Sequence, residues 1–448
     1  MSRAVANLES LSALLQDYGP FRAVYSGRGD LALGGGSICQ FRVAQTASGS
    51  CLFACRLGGD HPFLFNGEPE AYELSFDGLT REGFRVTVPE SPWTPVSSTR
   101  VFSAHSQTQA LFLIRSFRVE KTPGAVRLHR FLLTNLDPGP RGRIEAAVTW
   151  RGEPARVMLE GVEGHQAILK RVSHSRSVAV TATLSLEHGT AEPEALVDSI
   201  CYILSLAQGR KIQWVGLQGV AEEDGRVAWE ESFARSTKRY GVLSMIQPFQ
   251  ADDYVQQVFS RYISVRGPWD LDRLIDAYCD AKSDEDFLES RGVKLVVVLE
   301  MLKAQHIEMS DPQKGFILPP RSFARMKKDL RAAIDDVGNN HEIDHSKLSA
   351  MKEKVAELNR RSLRRVLATM CSDLGIQMDS STLKRIMMIR NNLIHNGRYS
   401  LSSRDRRRLE NVEFYQSLLN FLDISFLSLL EYRGEHWDWL QKKSVTMP

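Results

Sequence analysis

In the last third of a 448-residue chain, Arg390 and His395 stand five positions apart in Arg390-Asn391-Asn392-Leu393-Ile394-His395. The surrounding stretch, 380–396, has helical periodicity. With Ile386 at zero on a wheel of about 100° per residue, Ile389, Leu393, Ile394 and Met387 fall roughly between −60° and +100°, a core-facing arc. Arg390 falls at about +40°, inside that arc, while Asn391 and His395 are i,i+4 neighbours on the polar side. A guanidinium set in an apolar stripe is costly to bury and needs a carboxylate or a phosphate. Glu300, alone in the apolar run 296–302, is the matching anomaly on another helix. Arg390 is therefore expected to meet either Glu300 or a bound phosphate. The same Arg-to-His spacing recurs at Arg56…His61 and Arg100…His105, but in β-patterned sequence.

Around this helix the charge is lopsided. The whole chain has a formal charge of +3. Residues 351–410 nevertheless carry 14 Lys/Arg against 6 Asp/Glu, and residues 251–350 carry 14 against 18. Arg360, Arg361, Arg364, Arg365, Lys384, Arg385 and the run Arg404, Arg406, Arg407, Arg408 supply most of the excess. Taken together they read as a surface that tracks RNA phosphates, with Arg385, Arg404, Arg406, Arg407 and Arg408 nearest the Arg390 helix.

A second motif, His341-Glu342-Ile343-Asp344-His345, has the spacing of a zinc-protease helix. Its context disagrees. Asp344 adds a charge, Gly338-Asn339-Asn340 precedes it, and no third ligand follows at a familiar spacing. A polar connection between helices is the preferred reading, and no metal or other cofactor is expected. Of six cysteines only Cys51 and Cys55 are close, with no second pair to complete a zinc set. Gly34-Gly35-Gly36 lacks the Lys-Ser/Thr of a phosphate loop and reads as a hairpin turn. Arg28-Gly29-Asp30 reads as chance.

The elements that position these groups differ between two regions. Hydrophobic residues at 43% and charged residues at 25% are ordinary for a globular chain, which excludes fibrous, collagen-like and wholly disordered classes. Residues 20 to about 245 are broken every eight to twelve residues by turn formers, with β-branched and aromatic runs such as 110–118, 126–133, 144–150 and 177–186. That pattern predicts a mainly antiparallel sandwich or barrel-like domain, with one packed helix over 194–207. Residues 249–448 switch to a 3.6-residue period. Helices are expected at 252–265, 270–281, 284–305, 320–336, 346–371, 380–396 and 402–432, with Asp270, Asp284, Ser380 and Ser402 as caps. The class is α+β multidomain, with an all-α bundle at the C-terminus. The first residues do not read as a signal peptide, no run spans a membrane, and scattered cysteines fit a reduced, cytoplasmic protein.

The helix carrying Arg390, Asn391 and His395, followed by Asn396-Gly397, resembles the active-site helix of HEPN domains, small helical bundles of which many are ribonucleases. Leu430-Glu431-Tyr432-Arg433-Gly434 is similar to the close of such bundles in ApeA-like anti-phage defence proteins. His129-Arg130-Phe131-Leu132-Leu133-Thr134-Asn135 and the stretch 203–214 (ILSLAQGRKIQW) resemble segments of their N-terminal domain. The resemblance implies an α-helical ribonuclease domain over 249–448 and a β-rich sensor or regulatory domain over 1–248. It implies metal-independent RNA cleavage, in which a 2′-hydroxyl attacks the adjacent phosphate to leave a 2′,3′-cyclic phosphate and a 5′-hydroxyl. In that scheme His395 moves protons, Arg390 holds the non-bridging oxygens, and Asn391 orients either group. Glu300, Asn392 and Asn396 support them. Such sites form where two protomers pair, so the implied partners are RNA, a second copy of the chain at minimum, and a phage protein as trigger. The rival is a non-catalytic HEPN protein that binds RNA, nucleotide or a protein through the same surface.

Overall fold

The computed structural model describes residues 11, 15, 21–32, 37–58, 72–101, 107–122, 125–172, 179–222, 225–236, 238, 240, 243–310, 312–341, 343–399 and 407–447. They divide into two compact units. One covers residues 1–256 with 283–285, and the other covers 257–282 with 286–448.

The first unit is mainly antiparallel β. Its strands are β1 (Phe21–Leu31), β2 (Ser37–Thr46), β3 (Cys51–Gly58), β4 (Tyr72–Thr80), β5 (Arg85–Val101), β6 (Gln107–Ile114), β7 (Ser116–Glu120), β8 (Val126–Thr134), β9 (Arg143–Trp150) and β10 (Glu153–Gly161). Helix α1 (His165–Val172), β11 (Val180–Glu187), α2 (Pro193–Gln208), β12 (Gln213–Ala221) and β13 (Val227–Phe233) follow. Strands β1 to β6 close into a barrel in the order β4-β1-β2-β3-β6-β5, because β5 also pairs with β4. From β5 the sheet runs on through β7-β13-β12-β8-β11-β10-β9.

Alternation fills the barrel. Phe41, Phe53, Phe76, Trp93 and Phe112 are buried together, with the Phe76 ring 4.6 Å from Phe41 and 4.8 Å from Phe53. Cys39, Cys51 and Cys55 lie in the same core as free thiols, and burial pushes Cys51 up to about 12. The seam between β1 and β4 is tight. A Cβ on Gly29 would stand 2.3 Å from the Asp77 carbonyl oxygen, so glycine is required there.

One sequence expectation changes in this unit. The run 110–118 is not one strand: it breaks at Arg115 between β6 and β7, which both pair with β5 and have β3 and β13 respectively on their other sides. Strand β12 begins at Gln213, and just before it the Lys211 carbonyl accepts from Asn135 Nδ2 at 2.9 Å. The packed helix expected over 194–207 is α2, ended by Gly209 at φ 62°. Gly34-Gly35-Gly36 lies outside the described residues.

The helices are α3 (Ala251–Val265), α4 (Leu271–Ala281), α5 (Leu288–Ser310), α6 (Pro320–Asn340), α7 (His345–Lys354), α8 (Leu363–Asp373), α9 (Ser380–Asn396) and α10 (Arg407–Leu429). A short hairpin, β14 (Glu435–Asp438) and β15 (Lys443–Thr446), closes the chain. Helix α5 packs against α4, α8, α9 and α10. The single helix expected over 346–371 is two, α7 and α8, separated by a 3-10 turn at Val355–Asn359. The Asn359 side chain turns the chain there: its amide donates to the Leu318 carbonyl and its oxygen accepts from the Leu318 N–H. Helix α5 starts four residues after Asp284, and Asp379, not Ser380, caps α9. Asp270 occupies the cap position of α4 without a side-chain cap bond, and Ser402 is outside the described residues.

The hairpin is fastened by buried polar groups. The Tyr278 hydroxyl donates to Asp423, the Lys282 ammonium donates to the Tyr278 oxygen, and Trp439 Nε1 donates to Asp423 Oδ2 at 2.8 Å. Asn420 ties in Asp438 at 2.9 Å. Removing one partner of a buried charge pair strands the other in low dielectric. Asp423→Ala is expected to lower unfolding free energy by about 3–5 kcal/mol, read by urea denaturation followed at the tryptophans. A loss near zero would mean that Lys282 is solvated.

Burial also holds the His436 imidazole below its ordinary 6.5, against the pull of Asp423 and Asp438. An unfolded chain then takes up the proton more readily than the folded one, so stability falls as pH drops below about 6.5. His436→Gln is expected to lose less stability than wild type between about pH 7 and pH 5, measured by denaturant midpoints across that range. An identical pH slope in the variant would contradict this.

Candidate functional site

Helix α9 is well specified at both ends. Asp379 accepts from the Ser381 hydroxyl and from the N–H groups of Ser381 and Thr382, the last two at 2.7 and 2.8 Å, and these bonds, that of the Ser381 hydroxyl foremost, hold its carboxyl well below the usual range. At the other end Gly397 takes φ 62° and donates to the Leu393 carbonyl. Leu383, Ile386, Ile389 and Leu393 form the buried stripe. Ile394, placed by the wheel at the edge of that stripe, is instead 44% exposed.

Arg390 meets Glu300. Its Nε donates to Glu300 Oε1 at 3.1 Å, and its Nη2 stands 3.0 Å from the same oxygen in an ion pair. The third guanidinium nitrogen, Nη1, donates to Asn391 Oδ1 at 3.2 Å. Glu300 also accepts from Lys303, one turn on along α5. Burial alone raises the Glu300 carboxyl, but the bond and charge of Lys303, with those of Arg390, outweigh it and leave it below the ordinary value. The cluster is only partly buried, with side chains about a quarter exposed. Of the two partners the sequence left open for Arg390, the carboxylate is present. Lys303 was missed, although its i+3 spacing from Glu300 was readable.

His395 is exposed and, among the described residues, makes no hydrogen bond or ion pair. On α9 it is about 140° around and 7.5 Å along from Arg390, so one helix does not aim both groups at one point. Asn391 sits one turn before His395 on the same exposed side and accepts from Arg390. Asn396 is exposed at the helix end. Asn392 does something else: its Nδ2 donates to the Tyr399 carbonyl at 2.9 Å and docks the chain leaving α9. The fully buried Tyr399 hydroxyl then donates to the Leu288 carbonyl at 3.1 Å, fixing that exit against α5.

The basic residues divide. Arg385 pairs with Glu413 at 3.6 Å and lies over the Phe414 ring at 5.2 Å, so it joins α9 to α10. Arg361 donates to the Phe316 carbonyl at 2.7 Å, and Arg364 to Ser380 at 2.6 Å. Arg360, Arg365 and Lys384 are exposed. Arg404 and Arg406 lie outside the described residues. Arg407 and Arg408 open α10, and their side chains also lie outside what is described.

His341 to His345 do not lie on one helix. Helix α6 ends at Asn340, His341 follows as its C-cap, and Asp344 caps α7 by accepting from Ser346 at 2.7 Å. The i,i+4 geometry that a zinc helix needs is therefore not formed, and the polar connection expected there is present. Another buried group went unread: His306 Nε2 meets Asp373 at 2.9 Å, with Lys314 on the same carboxylate oxygen at 2.6 Å. Those residues are 67 positions or fewer apart with no shared pattern, so sequence offered no signal.

The segments singled out in the β unit lie side by side. Residues 129–135 run along β8 and 203–214 cover the end of α2 and the start of β12, joined by Thr134 to Gln213 and Asn135 to Lys211. At the bundle's close, Gly434 is needed because a Cβ there would stand 2.2 Å from the Tyr432 hydroxyl. Compared with family models, curated proteins and solved structures, the chain matches none of them. Among the described residues no helix is long and apolar enough to cross a membrane.

A Cβ on Gly292 would stand 2.1 Å from the Tyr399 hydroxyl oxygen. Gly292→Ala is expected to displace Tyr399, cost about 1–3 kcal/mol and loosen the α9 exit. Hydrogen exchange at 397–399 together with a denaturation curve would check this. Unchanged protection would show that Tyr399 does not hold the exit.

Proposed function

We propose that this chain is a metal-independent endoribonuclease of the HEPN type, acting in anti-phage defence from the cytoplasm. The observation that carries the reading is the α5–α9 constellation: Arg390 steadied by Glu300, braced by Asn391, with a free, exposed imidazole at His395 one turn further. A 2′-hydroxyl gives up its proton, its oxygen bonds to phosphorus, and the bond to the 5′ oxygen breaks as that oxygen takes a proton. Imidazole titrates where both transfers are feasible. The guanidinium offers parallel donors to non-bridging oxygens as charge grows. Because Arg390 and His395 point about 140° apart on one helix, a single scissile phosphate takes the arginine of one protomer and the histidine of its partner. The working form is then a homodimer through the helical unit. Exposed Arg360, Arg365 and Lys384 extend a cationic surface for the RNA, with Arg404 and Arg406 in the adjoining sequence. The β-rich unit restrains the nuclease until a phage protein is met.

One observation favours a second reading. Glu300 already neutralises Arg390, which suits a non-catalytic HEPN protein that binds RNA, nucleotide or protein. The test separates them. His395→Ala is expected to lower RNA cleavage by about 10²–10⁴-fold while the dimer persists, and Arg390→Ala to do so comparably. EDTA is expected to leave cleavage unchanged. Sequencing RNA ends from expressing cells, wild type against His395→Ala, reports activity and substrate together. Dimeric variants that cleave like wild type, or activity lost in EDTA and restored by zinc, would sink the proposal.

A further inference from the structure

On the outer part of the sheet, His129 of β8 and His188, in the turn just past β11, turn their ring nitrogens toward each other. His129 lies on β8 opposite Leu186 of β11, and His188 follows two residues later, the diagonal neighbour on the same face. His188 Nδ1 and His129 Nε2 are 3.4 Å apart, with ring centroids at 5.3 Å. Two imidazole nitrogens on a tetrahedral zinc, each about 2.0–2.1 Å from the metal, stand about 3.3–3.4 Å apart. The spacing already present is the spacing that a shared cation needs.

The pair is held from behind. The Trp229 ring lies edge-on to His129 at 6.0 Å and carries Arg118 over its face at 4.1 Å. Trp229 occupies the space above Gly219, where a Cβ would come within 2.3 Å of the indole nitrogen, so β12 gives up a side chain to seat the ring. The backbone N–H of His188 donates to the Arg127 carbonyl at 2.8 Å. His188 opens into a groove of about 370 Å³ that Ser185 and Glu187 also line. Arg156 on its wall is already spent on Glu145 at 2.7 Å.

We infer that His129 and His188 form a two-histidine site for a divalent transition cation of the zinc class, on the β unit and separate from the α5–α9 constellation. Among the described residues no third His, Cys, Asp or Glu closes around it. Water completes the shell, and affinity is below that of a closed structural site.

The full-length protein, stripped with chelator and desalted, is titrated with zinc chloride by calorimetry and with cobalt chloride by absorption. One saturable equivalent per chain is expected, with a tetrahedral cobalt band. His188→Ala, at an exposed position, and His129→Gln are each expected to weaken binding about tenfold or more, which is at least 1.4 kcal/mol. His341→Ala with His345→Ala is expected to leave it unchanged. No saturable binding, or binding that survives both sheet substitutions, would overturn the site and leave the pair as a plain hydrogen bond.

Discussion

The carboxylate of Glu300 is the pivot of the helical unit. It sits on α5, between a flanking lysine and the guanidinium of α9, and one of its oxygens accepts from Arg390 Nε with Nη2 also within ion-pair distance. Without it the apolar stripe of α9 would carry an uncompensated cation into the α5 contact, which burial penalises heavily. With it the arginine is both tolerated and aimed, because a planar fork engaged on one edge has a fixed plane. The free edge then points where Asn391 can share it. The same ion pair therefore serves packing and orientation. Its partial exposure matters for both: a fully buried pair would be inert to a ligand, and a fully exposed one would be too mobile to direct anything.

Much of this was readable where a local rule governs. A lone acid in an apolar run and a lone base in an apolar stripe are matching anomalies, and the fold pairs them. Helix α9 ended at Gly397 as expected, because a residue at φ 62° favours glycine. What escaped was decided at long range. The barrel closes through β4 and β5, with Gly29 and Gly78 meeting at the β1–β4 seam, and no window of sequence reveals which strands are neighbours. The split of 346–371 hinges on Asn359 reaching back 41 positions to Leu318. Lys303 was legible and overlooked, whereas the His306–Asp373–Lys314 cluster has no sequence signature at all.

The polar knot of Tyr278, Lys282, Asp423 and Trp439 raises a different question, since apolar side chains would often fill such a space at no loss. Its members come from α4 and the residue that follows, from α10 and from the C-terminal hairpin. Each has one acceptable arrangement, because a buried charge tolerates few alternatives to its partner. A hairpin of two four-residue strands has little intrinsic stability of its own. Seating Trp439 on Asp423 selects one docking position for it among the many a purely greasy contact would permit. Specificity, more than net stability, is what such a knot supplies.

Helix geometry finally limits how the exposed imidazole and the paired guanidinium can cooperate. Five residues of α-helix advance the chain by about 7.5 Å and rotate it by about 140°, which no rotamer choice reverses without leaving the staggered wells. One copy of α9 thus offers a cation to one side and a proton carrier to another. Two copies related by a two-fold axis through α9 would offer each group twice, and an isologous contact there would set the arginine of one against the histidine of the other. On the proposed reading, chemistry that needs both on one phosphate would depend on association of two copies, and the oligomeric equilibrium would be its control point.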